Sequence, residues 1–202
     1  MTTFHLVRHA SHDLLGRVLA GRRIDAPLNQ TGQLEARMLA FRLECEPVAR
    51  VISSPRRRAR ETSGAIAEAL RLDVEIAAEL DEHDAGEWSG LAFDVLQSDP
   101  RWRRWNEQRG AMRPPGGETM AELQARVVGY LHDLRDRHPG EALVLVTHAE
   151  PIRAALMYAR DIAFDSFLQV EVPIASTTTI VLDGHHDLAR TPSSRLTQRG
   201  AA

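Results

Sequence analysis

The stretch Leu6-Val7-Arg8-His9 decides the fold, because it ends a short apolar run typical of a buried strand and has a counterpart later in the chain. The run 143–147 (Leu-Val-Leu-Val-Thr) has the same character and is also followed by a histidine, His148. In open α/β sheets, ligand sites lie at the carboxyl ends of the strands. We therefore expect His9, His148 and at least one arginine to meet at one edge of a single sheet.

Strands and helices alternate outward from these two runs, as apolar periodicity, turn residues and cap signals indicate. The predicted strands cover residues 3–8, 50–53, 74–77, 143–147 and 176–182. The predicted helices cover residues 31–44 (with Thr31 as the cap), 54–70, 119–137 and 151–159. This order predicts an α/β fold, a three-layer αβα sandwich with a mostly parallel central sheet, in one domain over residues 1–190.

The segment 92–118 interrupts the alternation and is interpreted as a small helical cap excursion from the sheet. It contains Trp102 and Trp105 among several arginines, followed by a Pro-Pro-Gly-Gly turn. Two interpretations stay open: the segment covers the site and sets specificity, or its tryptophans fill a satellite core. The polar residues 191–202 are predicted to form a disordered tail.

Length and composition limit the classes of protein. The 202 residues suffice for one well-packed domain, and the net charge of −3 argues against a general nucleic-acid-binding protein. Lysine is absent, which excludes a Schiff-base lysine and a phosphate-loop lysine. The single cysteine, Cys45, cannot form an internal disulfide. No segment has the pattern of a signal peptide or a membrane span, so we expect a cytoplasmic protein with no membrane partner. A homodimer stays open.

Arg8 and His9 together suit a phosphate ester. The planar guanidinium matches two phosphate oxygens, and a neutral imidazole with one free ring nitrogen can attack phosphorus. A neighbouring arginine favours the neutral imidazole, and a backbone carbonyl that accepts from the other ring nitrogen would fix the tautomer. His148 could donate to a phosphate oxygen. Each residue taken alone fits an inert, hydrogen-bonded group at a strand end better.

Four arginines follow the second predicted strand, in the run 53–62 (Ser-Ser-Pro-Arg-Arg-Arg-Ala-Arg-Glu-Thr). The first turn of the helix that starts there offers free N–H groups to an anion. Only one or two of these arginines can point into one pocket. For Arg56, Arg57 and Arg60 a solvated basic surface is the better interpretation.

An acidic stretch over residues 80–90 offers a proton donor for the leaving oxygen of a phosphate ester. A carboxylic acid in a dry pocket can keep its proton at neutral pH. Composition alone does not choose among the candidates, which are Glu79, Asp81, Glu82, Asp84 and Glu87. The structural alternative is an acidic surface loop.

Six motifs between Phe4 and Arg153 resemble, in order, those of the histidine phosphatase superfamily, also called phosphoglycerate-mutase-like. The first, Leu6-Val7-Arg8-His9-Ala10, resembles the family's Leu-Val-Arg-His-Gly. The others are the segments 25–36, 53–62, 80–90, 116–119 and 146–153. Within this resemblance, the pattern Ser-Ser-Pro-x-x-Arg selects Arg58, Leu-x-Glu selects Glu82, and Val-Thr-His selects His148.

The resemblance implies a metal-independent phosphatase mechanism that needs no cofactor. His9 would attack phosphorus and become a phosphohistidine, while Arg8, Arg58 and His148 would hold the phosphoryl oxygens. Glu82 would protonate the leaving alcohol and then help to activate water. The family's sheet, with helices on both faces, agrees with the predicted order of elements.

The chain departs from the family pattern at three positions. Alanines stand at Ala10 and Ala149, where the family has a glycine after each histidine, and Leu15 stands near the place of a family asparagine. The remaining histidines are interpreted as structural, including His12. The run His185-His186-Asp187 is a minor candidate for adventitious metal binding.

The sequence therefore predicts a phosphoric monoester hydrolase that acts on a small phosphorylated metabolite. The alternatives are a phosphoglycerate-type phosphomutase and a non-catalytic phospholigand-binding module on the same fold. Sugar phosphates, phosphoglycerates, nucleotide phosphates and cofactor-precursor phosphates all fit as substrates.

Overall fold

The computed structural model describes residues 1–183, except for the side chain of Leu168, and the backbone of residues 187–190. Within this part of the chain, the strands are β1 (Thr2–Arg8), β2 (Val48–Ser53), β3 (Val74–Ile76), β4 (Ala142–Thr147), β5 (Thr177–Leu182) and β6 (Asp187–Arg190). The α-helices are α1 (Gln30–Leu43), α2 (Arg57–Leu70), α3 (Phe93–Ser98), α4 (Pro100–Glu107), α5 (Met120–Arg137) and α6 (Ala149–Ala159). Two predictions lie outside the described residues. They are the disordered tail over 191–202 and the metal-binding side chains of His185, His186 and Asp187.

The strands form one sheet in the order β3-β2-β4-β1-β5-β6. The pairs β2–β3, β2–β4 and β1–β4 are parallel, whereas β5 is antiparallel to both of its neighbours. Parallel neighbours need a crossover connection, which α1, α2 and α5 supply. The prediction of a mostly parallel central sheet is therefore confirmed, and β6 is an edge strand that the sequence pattern did not predict.

The sheet is the middle of three layers, and β4 shows why. All six of its residues are buried, as expected for a strand that is covered on both faces. Leu143 and Leu145 pack into the core on the side of α5 and α6. Val144 and Val146 point to the opposite face and pack with residues of α1 and α2. The apolar run of β4 thus contributes side chains to the hydrophobic cores on both faces of the sheet.

Two helix starts differ from the predicted ones. Asn29, not Thr31, caps α1: its backbone is extended, and its side-chain oxygen accepts the Gly32 N–H at 2.9 Å. Helix α6 begins at Ala149, before the predicted start at Pro151. The helix tolerates Pro151 in its first turn, because the N–H that a proline lacks would have no partner within the helix there. Thr119, predicted as the first residue of a helix, is the cap of α5 and forms a capping box with Glu122.

The excursion packs onto the main core rather than standing apart. The rings of Trp88, Trp102 and Trp105 lie 5.2–5.6 Å from one another, and Trp105 is 3% exposed. The guanidinium of Arg109 lies between two rings, 3.9 Å from the centre of Trp105 and 3.4 Å from that of Phe167. The tryptophans thus fill space in the main core, not in the satellite core that the second interpretation expected.

Candidate active site

The carboxyl ends of β1 and β4 bring His9 and His148 together. The two strands are parallel neighbours in which Arg8 pairs with Thr147, so the two histidines follow at the same level of the sheet. The His9 N–H donates to the Thr147 carbonyl at 3.0 Å. Both side chains are buried, and their ring centres lie 5.1 Å apart in an edge-on arrangement.

The hydrogen bonds of His9 define its tautomer. Nδ1 lies 2.9 Å from the Ala10 carbonyl, which can only accept, so Nδ1 carries the proton. The lone pair of Nε2 is then free, and Arg58 Nε donates toward it at 3.3 Å. Burial, followed by the charge of Arg58, holds the pKa of His9 well below its usual 6.5. The ring is therefore neutral at physiological pH, as a nucleophilic imidazole must be.

Arg58 is held in place by the loop that precedes α1. Its Nη2 donates to the Gly21 carbonyl at 3.0 Å and its Nη1 to the Ile24 carbonyl at 3.3 Å. With the contact to His9, three of its five N–H donors are used, which leaves donors for a ligand. Thr62, one turn later in α2, accepts from the Ala10 N–H at 3.0 Å and so fixes the histidine loop against the helix.

Arg8 is the last residue of β1 and directly precedes His9. Its Nη1 donates to the Val172 carbonyl at 2.6 Å. Its Nε is buried and has no hydrogen-bond partner among the described residues. A buried donor without a partner is costly, so this atom is ready for an anionic ligand.

The other three arginines of the run 53–62 do not enter the site, but Arg56 is not simply solvated. It forms a two-point contact with Asp81, with both N···O distances at 2.9 Å. Arg57 and Arg60 are exposed, as expected for a basic surface. The first N–H of α2, from Arg57, donates to the Asp25 carboxylate at 2.6 Å, so an internal carboxylate occupies part of the expected anion site.

Glu82 is the member of the acidic stretch that reaches the histidines. Its Oε1 accepts from the His83 N–H at 2.8 Å, and its Oε2 lies 3.7 Å from Nδ1 of His148. Burial raises the pKa of Glu82 to about 7, although the positive charge of Arg58 opposes the shift. A carboxyl group with this pKa can hold a proton at neutral pH and release it within the same range.

His148 is fully buried beside His9. Its Nε2 lies 2.7 Å from Ser54 Oγ, and its Nδ1 has no hydrogen-bond partner among the described residues. Burial and then the charge of Arg58 hold the pKa of His148 well below 6.5, so this ring is neutral. If Ser54 Oγ donates to Nε2, the proton sits on Nδ1, the atom that faces Glu82.

Arg8, His9, Arg58 and Glu82 line a cavity of about 500 Å³, whereas His148 lies behind His9 and Glu82 and is not part of the lining. His12, which we interpreted as structural, also lines the cavity, with its ring centre 5.4 Å from that of His9. The only signal for His12 in the sequence was its position three residues after His9, in a turn whose geometry the pattern did not give.

Ala10 and Leu15, two of the positions that depart from the family pattern, differ in their relation to the cavity. Ala10 does not line the cavity; its methyl group is buried and packs with Leu28 and Ala36. Leu15 lines the cavity and is 37% exposed. Within the excursion, Phe93 is the residue that lines the cavity. The chain thus has an apolar side chain near the place where the family has an asparagine.

The described residues contain no group of three or more histidine, cysteine, aspartate or glutamate side chains arranged to hold a metal ion. None of the helices in the described part of the chain is long and apolar enough to cross a lipid bilayer.

Comparison with known proteins places this chain in a family. The family model described as "Histidine phosphatase superfamily (branch 1)" matches residues 4–192. Phosphoserine phosphatase 1 of Hydrogenobacter thermophilus is 36% identical over 158 residues, which are 76% of this chain and 74% of that protein. Bifunctional protein Rv2228c of Mycobacterium tuberculosis is 30% identical over 87% of this chain, which spans about half (49%) of that relative's length.

Among solved structures, YhfR of Bacillus stearothermophilus shares the fold with a TM-score of 0.88 and 26% sequence identity. The match covers 95% of this chain and 96% of that one, so the two chains share the fold over nearly their whole length.

Proposed function

The chain belongs to branch 1 of the histidine phosphatase superfamily, and from this membership we propose that it is a phosphatase that hydrolyses a small-metabolite phosphomonoester through a phosphohistidine on His9. The observation that carries the proposal is the unprotonated Nε2 of a neutral, buried His9, which accepts a hydrogen bond from Arg58 Nε at 3.3 Å. Arg8 and Glu82 border the same cavity.

In the first step, Arg8 and Arg58 hold the phosphoryl oxygens, and Nε2 of His9 attacks phosphorus. The bond between phosphorus and the ester oxygen breaks, and Glu82 gives its proton to that oxygen, so that a neutral alcohol leaves. The hydrogen bond from Nδ1 to the Ala10 carbonyl stabilises the positive charge that develops on the imidazole.

In the second step, the Glu82 carboxylate takes a proton from water, and the water oxygen attacks phosphorus. The bond between Nε2 and phosphorus breaks, its electron pair returns to the imidazole, and inorganic phosphate leaves. Glu82 is protonated again and the cycle closes. A pKa of about 7 suits a group that must act as an acid and then as a base at neutral pH.

His148 acts on the phosphoryl group and not on the alcohol. Its Nδ1, which faces Glu82 and has no partner within the described residues, donates to a phosphoryl oxygen. With the guanidinium groups of Arg8 and Arg58, it neutralises charge in the transition state, so we propose that no metal is required. Each charge-assisted contact of this kind contributes roughly 1.5–3 kcal/mol.

The test is phosphate release from a panel of metabolite phosphomonoesters without added metal, with His9→Ala and His138→Ala compared to the wild type. We expect release by the wild type, a loss of roughly 10³-fold or more for His9→Ala, and normal turnover for His138→Ala, which lies at the far end of α5. Binding of phosphate esters without release, in wild type and variants alike, would contradict the proposal. It would point to the phosphomutase first and then to the phospholigand-binding module.

A further inference from the structure

One wall of the cavity is apolar. Apart from the groups assigned to the phosphoryl group, the lining includes Leu15, Val18, Leu19, Ala20, Phe93 and Ile174. A cavity of about 500 Å³ has room for a ring-sized or longer alcohol beside the phosphoryl group. The chemistry of this wall therefore bears on which alcohol the enzyme accepts.

The wall offers no cation to a carboxylate. Among the described residues that line the cavity, Arg8 and Arg58 are the only cationic side chains, and both are assigned to the phosphoryl oxygens. Burial, followed by the charges of Arg58 and Arg8, lowers the pKa of His12 to about 4, so His12 is neutral at physiological pH. A carboxylate that entered here would lose water without gaining a partner, which is unfavourable.

Two arginines near the cavity, Arg17 and Arg22, do not supply the missing cation. Arg17 is exposed and is not part of the lining, although it lies between two lining residues. Arg22 also lies outside the lining; it donates to Glu118 at 3.0 Å and to the Glu82 carbonyl at 2.6 Å.

The backbone holds the apolar wall in place before any ligand binds. The Leu19 N–H donates to the Leu91 carbonyl at 2.9 Å, and the Phe93 N–H donates to the Arg17 carbonyl at 3.0 Å. Val18 and Ala92 form an isolated antiparallel bridge between these contacts. The ring of Phe93 lies 6.4 Å from that of Trp102, so the wall is anchored to the core. A preformed apolar surface lowers the entropy cost of binding an apolar group.

We propose that this enzyme selects phosphomonoesters of uncharged, apolar alcohols over esters that carry a carboxylate, such as phosphoserine and 3-phosphoglycerate. The proposal rests on the phosphatase function proposed above and adds the substrate class. It separates this chain from the relative whose name contains phosphoserine.

The experiment compares kcat/KM for benzyl phosphate and hexyl phosphate with kcat/KM for phosphoserine and 3-phosphoglycerate. All four are esters of primary alcohols, so the reactivity of the leaving group is similar. We expect the apolar esters to be better by at least about ten-fold. Equal or better turnover of the carboxylate esters would overturn the substrate class and leave the phosphatase proposal standing. If neither these four esters nor any other phosphate ester is hydrolysed, both proposals are overturned.

Variants of the wall sharpen the test. Phe93→Ala should lower the ratio of kcat/KM for benzyl phosphate to that for ethyl phosphate by about ten-fold, whereas Val95→Ala, an exposed position in the same helix, should leave the ratio unchanged. Because both substrates are measured on the same protein, a change in the folded fraction cancels. Leu15→Arg, at a partly exposed position, should raise kcat/KM for 3-phosphoglycerate. Unaltered preferences in both Phe93→Ala and Leu15→Arg would overturn the proposal.

Discussion

Glu82 shows at the scale of one residue how position changes the chemistry of a side chain. Several carboxylates lie within a few residues of it, yet Asp81 is engaged by Arg56, and Glu79 and Glu87 are exposed. Only Glu82 lines the cavity among the five candidate acids, which are Glu79, Asp81, Glu82, Asp84 and Glu87. There, burial raises the pKa of Glu82 to about 7. The physical origin of the acid is thus removal from water, not the identity of the residue.

This pKa predicts the pH dependence of turnover. Because Glu82 must be protonated to release the alcohol, kcat/KM should fall as the pH rises through about 7, the pKa of Glu82 in the free enzyme. The pKa of His9 is lowered well below 6.5, so the nucleophile stays neutral and the loss of kcat/KM on the acid side should begin only well below that pH. A profile of kcat/KM against pH checks both expectations. A rate that stays level from pH 7 to 9 would show that Glu82 is not the acid.

Replacement of the acid should depend on the leaving group. Glu82→Gln should lower kcat/KM, which covers the transfer to His9 and not the later attack by water, for an alkyl phosphate by roughly 10²–10⁴-fold. The loss should be much smaller for p-nitrophenyl phosphate, whose alcohol leaves without a proton. Glu79→Gln, at an exposed position of the same stretch, serves as the matched control and should behave like the wild type. Equal losses on the two esters would mean that Glu82 has another role.

At the scale of the element, the start of α1 is set by a close backbone approach. A Cβ built on Gly32 would lie 2.0 Å from the Ser11 carbonyl oxygen, which is backbone and cannot move without the histidine loop. The same carbonyl accepts from the Asn29 N–H at 3.1 Å, so the helix start and the loop after His9 form one unit.

Gly32→Ala should therefore destabilise the fold by roughly 1–3 kcal/mol and also lower activity, because it displaces the residues beside His9. The matched control is Gly129→Ala in α5, where an added Cβ meets no atom within 4 Å. That substitution should stabilise the protein by up to about 1 kcal/mol. Urea unfolding of both variants gives the comparison; equal stability of the two would refute the close approach.

The elements themselves were largely predictable, because each has a local signature. Periodicity placed the main helices and the strands of the sheet, including the long helix α5 within one residue of its observed start. The errors arose where two local signals competed. Asn29 and Thr31 are both good caps, and only the approach of Gly32 to Ser11 selects the first.

The site was predictable only in part, for a related reason. Strand ends located His9 and His148, but choosing Arg58 and Glu82 from their neighbours required the family resemblance. No local pattern placed His12 or Phe93 at the cavity. Phe93 follows Ala92, whose bridge with Val18 joins two segments that are far apart in the chain. Such long-range contacts leave no periodic trace in a sequence.

At the scale of the whole molecule, we predict that the excursion and the sheet unfold as one domain. The three tryptophans lie within residues 88–105 and report on the excursion, whereas far-UV circular dichroism reports on all helices and strands. Their rings are packed into the core shared with α5 and α6, so both probes should give the same transition. A fluorescence transition that precedes the loss of circular dichroism would show that the excursion is a separate unit.

The central claim is that the phosphoryl group passes through His9, and the stereochemistry at phosphorus tests it most directly. The substrate is a phosphorothioate monoester made chiral at phosphorus with two oxygen isotopes and hydrolysed in water that carries the third, so that the released thiophosphate is itself chiral. Transfer to Nε2 of His9 followed by transfer to water comprises two in-line displacements, so we predict net retention of configuration. Net inversion would show a single direct attack by water and would contradict the phosphohistidine mechanism.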